Sequence, residues 1–192
     1  MYVDAHVHLG RYPDPTGVLA AVESAGIACV AVTDTPAEYQ RGLPWLRRPL
    51  VEVALGVHPL HAAELGPEDL ARFDQLVEGC AWVGEVGLDG SPEGLATLPA
   101  QREALGRVLA HPSIHDKVLT VHSRGAEGEV IATLARAGVT AVLHWYRGSL
   151  QDARAALEAG MSFSINPAMV GSSAGRGLIA ALPPERVLTE TD

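Results

Sequence analysis

The feature that most constrains this chain is a repeated alternation of short apolar runs with longer segments of helical periodicity. Several of the apolar runs are near-continuous and rich in β-branched residues, as in Ile-Ala-Cys-Val-Ala-Val at residues 27–32. Such runs are typical of strands in a parallel sheet that is covered on both faces. We predict eight strands, over residues 2–7, 27–32, 51–57, 81–86, 117–121, 139–143, 161–165 and 186–189.

Segments of helical period separate these strands, and several end at a glycine that suits a helix C-cap. Helices are predicted over residues 16–25, 67–78, 98–109, 127–137, 150–159 and 174–182, with a weaker one over 36–42. This order fits two α/β architectures, an open doubly wound sheet and a closed (β/α)8 barrel of the TIM type. No Gly-rich phosphate-binding loop follows a predicted strand, which disfavours a nucleotide-binding open sheet. No linker divides the sequence, so residues 1–192 are predicted to form a single domain.

The charge balance limits the partners that the chain can have. Its net charge of −9, from 14 basic and 23 acidic residues, argues against a protein held to nucleic acid by a broad basic surface. It does not exclude a nuclease that contacts phosphate through metal ions. No apolar run approaches the ~20 residues needed to cross a bilayer, and no signal peptide is recognisable. Cys29 and Cys80 lie far apart in apolar stretches, so we expect buried free thiols and a cytoplasmic protein without a membrane partner.

Residues able to bind a metal or to take part in catalysis stand at the ends of seven predicted strands. In a parallel barrel all these ends open on one face, which carries the active site. Any one of them alone is more often a satisfied core or surface side chain, but the whole set favours a functional site. The set is His6, His8, Asp34, His58, Glu85, His122, His144 and Asp192. The remaining histidines lie away from strand ends and are expected to be solvated or structural.

The first strand carries the clearest metal-binding pattern. Alternate residues of a strand face the same side, so His6 and His8 should project together into the barrel mouth. Two imidazoles placed in this way are natural ligands for a divalent transition metal. Asp4 is expected on the same side, where it would orient one of the imidazoles.

The fourth strand carries Glu85 between Gly84 and Gly87, and a carboxylate in that place can bridge two metal ions. Ordinary amidohydrolase barrels use a carbamylated lysine there, but the only lysine of this chain, Lys117, begins a later strand on the opposite face. Two further residues have open interpretations. Arg124 either binds a phosphate oxygen or forms a surface salt bridge. Trp145 either stacks on a base or sugar or simply packs at the barrel rim.

Six motifs, in order along the whole chain, resemble those of the TatD-type metal-dependent deoxyribonucleases. They are Asp-Ala-His-Val-His (4–8), Gly-Val-His-Pro (56–59), Gly-Glu-Val-Gly-Leu-Asp (84–89), Val-His-Ser-Arg (121–124), Leu-His-Trp-Tyr-Arg-Gly (143–148) and Thr-Glu-Thr-Asp (189–192). Further segments are similar to one branch, the QatD nucleases of Qat anti-phage defence systems. These are Arg-Tyr-Pro-Asp-Pro (11–15), Gly-Leu-Asp-Gly-Ser-Pro (87–92), Leu-His-Trp-Tyr (143–146) and Phe-Ser-Ile-Asn-Pro-Ala-Met (163–169).

The resemblance implies a (β/α)8 barrel of the metal-dependent hydrolase kind that holds two divalent metal ions. By position, the first ion would be held by His6, His8 and Asp192, and Glu85 would bridge. The second ion would be held by His122 and His144. Zn²⁺, Mn²⁺ and Mg²⁺ all remain open, although imidazole ligands favour transition metals.

The implied activity is hydrolysis of phosphodiester bonds in DNA by a two-metal mechanism, in anti-phage defence. The predicted catalytic residues are Glu85, Asp192 and His58, with Asp192 accepting the proton of the attacking water. The predicted substrate contacts are His58, Arg124 and Trp145. The implied partners are DNA and, for the QatD branch, other Qat-type defence proteins.

Two other functions are also compatible with the sequence. One is a barrel metal hydrolase of a small molecule, a phosphoesterase or an amidohydrolase, which Glu85 in place of a lysine disfavours. The other is a scaffold subunit of a defence complex, which the complete ligand set disfavours. The barrel also predicts that the eighth helix is absent from this sequence. We therefore expect the single domain to be incomplete at its C-terminus and the natural chain to continue beyond Asp192.

Overall fold

The computed structural model describes residues 2–192 as eight parallel strands that alternate with helices. Every predicted strand is present, and only the third differs from its predicted bounds by more than one residue. The strands are β1 (Tyr2–Val7), β2 (Ile27–Ala31), β3 (Val51–Val53), β4 (Trp82–Gly87), β5 (Val118–His122), β6 (Thr140–Leu143), β7 (Ser162–Ile165) and β8 (Val187–Thr189). The helices are α1 (Pro15–Ser24), α2 (Pro36–Gly42), α3 (Pro67–Leu76), α4 (Leu98–Ala110), α5 (Glu127–Ala137), α6 (Leu150–Glu158), α7 (Pro167–Gly171) and α8 (Ser173–Ile179).

The strands form two parallel sheets, β1-β2-β3 and β4-β5-β6-β7-β8, that close into one barrel. A β-bridge between Leu55 and Val83 joins the sheets on one side. On the other side, Thr189 Oγ1 donates a hydrogen bond to the carbonyl of Val3. The predicted (β/α)8 architecture is therefore confirmed, and the carboxyl ends of all eight strands open on the same face. No helix follows β8 within residues 190–192.

The third strand ends earlier than the sequence predicts. Beyond β3 the chain stays extended, but its backbone bonds are divided between two neighbours. The amide of Ala54 donates to the carbonyl of Ala31, whereas the amide of Val57 donates to the carbonyl of Glu85. Between them, Gly56 packs so closely on the carbonyl of Thr33 that a Cβ would collide with it. A regular ladder cannot continue through this crossing.

The helices bury one face against the outside of the barrel. In α5, Val130, Ile131 and Leu134 are buried, which is the spacing of an amphipathic helix. The helix ends at Gly138, whose φ of 66° is the left-handed value that favours glycine. Burial of each large apolar side chain contributes about 1.5–3 kcal/mol. None of the helices in residues 2–192 has the length and hydropathy to span a membrane.

The sequence did not predict helix α7. The segment α7 is only five residues long, too short to show a helical period. Its N-cap is Asn166, whose side chain accepts a hydrogen bond from the amide of Met169 at 3.0 Å. An asparagine followed by a proline is a recognised helix start. Here it marks a helix that stops after little more than one turn.

Candidate metal centre

The carboxyl ends of the strands bring the predicted ligands together around Glu85. This side chain is on β4 and is only 1 % exposed. Its Oε1 lies 2.7 Å from His122 Nδ1 and 2.8 Å from His144 Nε2. Its Oε2 lies 3.0 Å from His8 Nε2 and 3.4 Å from His6 Nε2. The two oxygens of one carboxylate therefore face different imidazoles.

Glycines allow β4 to pack this closely on its neighbour β5. A Cβ at Gly84 would collide with the side chain of Thr120, and one at Gly87 would collide with the backbone of His122. Gly87 also has a φ of 137°, which favours glycine. The glycines on either side of Glu85 therefore permit the close approach of β4 to β5.

Four groups of three residues bring potential metal-binding atoms within 4.8 Å of one another. All six predicted metal ligands belong to at least one group. The groups are His6–His8–Asp192, His6–Glu85–His144, His58–Glu85–His122 and His8–Asp34–Glu85. Asp192 joins them from the chain segment after β8, and its Oδ1 lies 3.7 Å from His8 Nε2 and 3.8 Å from His6 Nε2. The amide of Asp192 also donates to the carbonyl of His6 at 2.9 Å, which ties this segment to β1.

The unpaired atoms of this centre fit a divalent cation. Among residues 2–192, four buried polar side-chain atoms have no hydrogen-bond partner, and all four lie here. They are His6 Nε2, His8 Nδ1, Glu85 Oε2 and His144 Nδ1. Two of them, His6 Nε2 and Glu85 Oε2, face each other at 3.4 Å, whereas His8 Nδ1 faces Asp34 and His144 Nδ1 faces Glu190. A buried polar atom without a partner costs about 1–3 kcal/mol, and coordination to a cation would offset that cost for the first two. Imidazole nitrogens and carboxylate oxygens are also the donors that divalent transition metals prefer.

Thr120 on β5 orients His6, a role that the sequence did not reveal. Its Oγ1 lies 2.7 Å from His6 Nδ1, so His6 Nε2 points at the centre. Burial, helped by the neighbouring His144, lowers the pKa of His6 to about 3.

Asp4 does not have the orienting role that the sequence predicts. Its carboxylate accepts hydrogen bonds from the amide of Thr191 at 3.0 Å and from the Thr191 hydroxyl at 2.6 Å. Simple alternation fails here because the pairing of β1 with β2 changes register between Asp4 and Val7. Asp4 instead ties β1 to the segment after β8. That prediction was wrong.

His122 lies between two carboxylates. Its Nδ1 faces Glu85, and its Nε2 lies 2.8 Å from Asp89 Oδ2. Burial lowers the pKa of His122, but the hydrogen bonds to Asp89 and Glu85 outweigh it and raise the pKa to about 9. Burial would raise the pKa of Asp89, but His122 and Ser91 hold it below its usual range. Asp89 is the last residue of the motif at residues 84–89, but the sequence did not indicate a role for it.

The charge of Glu85 is also held by its surroundings. Burial alone would raise the pKa of this carboxyl group. The charges of His144 and His58, together with the hydrogen bonds from His122 and His144, keep the pKa well below its usual range. Glu85 is therefore a carboxylate, the form in which both oxygens can act as ligands.

Glu190 is a second carboxylate that the sequence reasoning missed. Its Oε1 accepts hydrogen bonds from the backbone N–H of Trp145 at 3.0 Å and from Asn166 Nδ2 at 3.1 Å. Its Oε2 accepts a hydrogen bond from the hydroxyl of Ser164. Burial raises the pKa of Glu190. Because Trp145 has a φ of 37°, rare for a large side chain, the bond from Glu190 fixes an unusual turn after β6.

A cavity of about 230 Å³ opens at this face, and the three predicted substrate contacts all line it. His58 is also close to the centre, with its Nε2 3.4 Å from Glu85 Oε2, so it is within reach of a metal as well as of a substrate. Arg124 donates to Glu93 at 2.7 Å, and both side chains are exposed. Trp145 is 36 % exposed at the wall of the cavity.

This fold and this set of donors define the class of protein as a metal-dependent hydrolase barrel. The family model described as "TatD related DNase" matches residues 3–192. The chain therefore belongs to the TatD family of metal-dependent hydrolases, as the sequence motifs predict.

Individual relatives agree with this assignment. The chain is 31 % identical over 212 residues to the human deoxyribonuclease TATDN3, an alignment that covers 99 % of this chain and 77 % of the relative. It is 31 % identical over 196 residues to the 3'-5' ssDNA/RNA exonuclease TatD of Erwinia billingiae, with 93 % and 72 % covered. Among solved structures, the TatD homologue YjjV of Escherichia coli superposes with a TM-score of 0.87 at 25 % identity, covering 100 % of this chain and 78 % of that one.

Proposed function

We propose that this chain is a deoxyribonuclease that hydrolyses the phosphodiester bonds of DNA by a two-metal mechanism. The observation that carries the proposal is the divided carboxylate of Glu85. Its Oε1 faces His122 and His144, whereas its Oε2 faces His6, His8 and His58. A buried carboxylate between two groups of imidazoles suits a bridge between two cations. The names of the human and Erwinia relatives support DNA as the substrate.

The ligands divide into two sets around that bridge. In this proposal His6, His8 and Asp192 would hold one divalent ion, His122 and His144 would hold the other, and Glu85 would be a ligand of both. Two such ions, when bound, neutralise charge on a phosphodiester and lower the pKa of an attacking water.

The side chains around the cavity then have separate tasks. Asp192, 20 % exposed at the edge of the centre, accepts the proton that the attacking water loses. His58 and Arg124 hold the phosphate, with Arg124 exchanging the carboxylate of Glu93 for phosphate oxygens. Trp145 provides an aromatic face for a base or a sugar.

The direct test compares the purified protein, loaded with Mn²⁺, Mg²⁺ or Zn²⁺ in turn, with a sample treated with EDTA. Single- and double-stranded DNA are the substrates, and released nucleotides are measured. We expect hydrolysis that EDTA abolishes. Glu85→Gln keeps the shape of the side chain but should lose activity and bound metal together. Glu158→Gln on the exposed face of α6 is the matched control and should lose neither.

Other outcomes would point elsewhere. Turnover of a small phosphate ester without any release of nucleotides would indicate a barrel hydrolase of a small molecule. A folded Glu85→Gln variant with full DNA hydrolysis would overturn the assignment of Glu85 as the bridge. Metal content, measured by elemental analysis of both variants, separates loss of metal from loss of fold.

We further propose that the chain acts in the cytoplasm, in anti-phage defence, together with other Qat-type proteins. The support is the similarity of residues 11–15, 87–92 and 163–169 to the QatD branch. The test is phage plating on cells that express the chain with its neighbouring genes. We expect Glu85→Gln to abolish protection, whereas unchanged protection would favour a scaffold subunit.

A further inference from the structure

A second cavity, of about 400 Å³, lies beside the metal centre and has no part in the function proposed above. Trp145 and Arg147 line both cavities, so the two spaces share a wall. Pockets for small ligands typically occupy ~300–1,000 Å³, so the second cavity is large enough for one. Its position next to the cavity at Glu85 means that one extended ligand can enter both.

Arg147, in the wall that the two cavities share, carries a positive charge without a carboxylate partner among the described residues. Arg11 is bound to Asp34 at 3.1 Å, and Arg124 is bound to Glu93 at 2.7 Å. Among the described residues, Arg147 has neither a hydrogen bond nor an ion pair through its side chain. A guanidinium without a carboxylate partner can bind a phosphate with two parallel hydrogen bonds. Since the chain carries a net charge of −9, a polyanion needs such a local cation to approach.

The segment that carries Arg147 is held in place on three sides. Glu190 binds the backbone N–H of Trp145 at 3.0 Å. Tyr146 is buried, and its hydroxyl donates to the carbonyl of Ser149 at 3.0 Å. Gly148 packs on the Tyr146 hydroxyl so closely that a Cβ would collide with it. Trp145 and Arg147 therefore face outward from a fixed turn, and little order remains to be gained when a ligand binds.

The opposite side of the second cavity is made of small residues. Ala168, Ala174 and Gly175 line it, with the hydroxyl-bearing Ser172 between them in the sequence. Among residues 2–192, no carboxylate lines this cavity, whereas Glu85, Asp89 and Asp192 line the first one. A planar, uncharged group attached to a phosphate fits these surroundings. A nucleotide has that chemistry.

We propose that the second cavity binds the nucleotide next to the scissile phosphodiester on the same DNA strand. The base of that nucleotide stacks on Trp145, and its phosphate binds Arg147. This inference rests on the proposed DNA hydrolysis and names how the strand continues away from the metal centre. In this proposal, Arg147 and the cavity at Ala174 contribute to the affinity for a DNA strand but not to the affinity for a single phosphodiester group.

The test measures binding of a short fluorescent oligothymidylate with phosphorothioate linkages to the metal-loaded protein, by anisotropy at several salt concentrations. We expect Arg147→Gln to weaken binding several-fold and to reduce the slope of log K against log salt by about 0.7, the value for one phosphate contact on a single strand. Ala174→Phe, which fills the cavity, should weaken binding without changing the slope. Arg154→Gln, an exposed arginine on α6, is the matched control for charge and should change neither.

A small diester separates this inference from the proposed function. Bis(4-nitrophenyl) phosphate can occupy the first cavity alone, so the ratio of kcat/KM for the oligonucleotide to kcat/KM for the small diester should fall in Arg147→Gln and in Ala174→Phe. If the wild-type protein cleaves DNA but both variants keep the binding, slope and ratio of the control, the second cavity is not a nucleotide site. If the wild-type protein neither binds nor cleaves the oligonucleotide, both proposals fail. Because Ala174 is exposed, circular dichroism should show a folded variant, and Ala168→Phe provides an independent filling of the cavity.

Discussion

Replacing Glu190 by alanine should destabilise the protein by about 3–6 kcal/mol. Glu190 is 4 % exposed, and three donors depend on it, the backbone N–H of Trp145, Asn166 Nδ2 and the hydroxyl of Ser164. Each buried donor left without a partner costs about 1–3 kcal/mol. The lower half of the summed range applies because water can enter the space that the carboxylate leaves.

Glutamine at the same position should be far less costly. Its carbonyl oxygen can accept from the amide of Trp145 and from Asn166, as Oε1 of Glu190 does now. Its NH₂ group then faces Ser164, whose hydroxyl can turn and accept instead of donating. The amide of Trp145, the side chain of Asn166 and the oxygen of Ser164 each keep a partner, so we expect Glu190→Gln to cost less than about 1.5 kcal/mol.

Thermal and urea unfolding of both variants provide the measurement. For a chain of this size 1 kcal/mol corresponds to about 2–4 °C in Tm, so alanine should lower Tm by roughly 6–24 °C and glutamine by less than about 6 °C. Glu158→Ala, exposed on α6, should stay within about 0.5 kcal/mol of the wild type. Equal losses in Glu190→Ala and Glu190→Gln would refute the reasoning, because charge and not hydrogen bonding would then stabilise the turn.

Three further outcomes are expected. Thr120→Val removes the partner of His6 Nδ1 and should weaken metal binding about 10–100-fold in a calorimetric titration; Thr140→Val, at an exposed position, should not. Burial raises the pKa of Cys29 and of Cys80 to about 11, so at pH 8 their thiolate fraction is about 100-fold below that of an ordinary thiol. At pH 8, iodoacetamide should therefore modify both thiols at least about 100-fold more slowly in the folded chain than in the urea-unfolded chain. The rate in the folded chain should increase as the pH rises toward 11. Equal rates for the folded and unfolded chains at pH 8 would contradict the raised pKa values. Removing divalent metal present at 100 times its Kd should cost about 2.7 kcal/mol of stability, seen as a lower Tm in EDTA that added metal reverses.

Much of the fold follows from the hydrophobic pattern, because each strand is an apolar run with a clear beginning and end. Glu127–Ala137 is predicted to the residue, since acidic residues open the helix and Gly138 closes it. The early end of β3 does not follow. The early end depends on the contact of Gly56 with Thr33, and a contact between two distant segments cannot be predicted from the local sequence.

The residues that the sequence reasoning missed share one property. Thr120 stands two residues before His122, Glu190 stands two residues before Asp192, and Asp89 stands four residues after Glu85. Within β5, even spacing places Thr120 on the same side as His122. Because β4 ends at Gly87 and β8 ends at Thr189, Asp89 and Glu190 lie outside the strands, and alternation does not place them.

Alternation alone is not sufficient, because it predicts the face of the strand on which a side chain lies but not the residue that the side chain contacts. Asp4 has the same spacing from His6, yet its carboxylate binds Thr191 because the register of β1 shifts after it. The partner of His6 Nδ1 is Thr120, 114 residues away along the chain. Which polar residue meets which imidazole is decided by the stagger of neighbouring strands around the barrel, a property of the closed structure. The set of candidate side chains can thus be derived from the sequence, whereas their pairing requires the barrel.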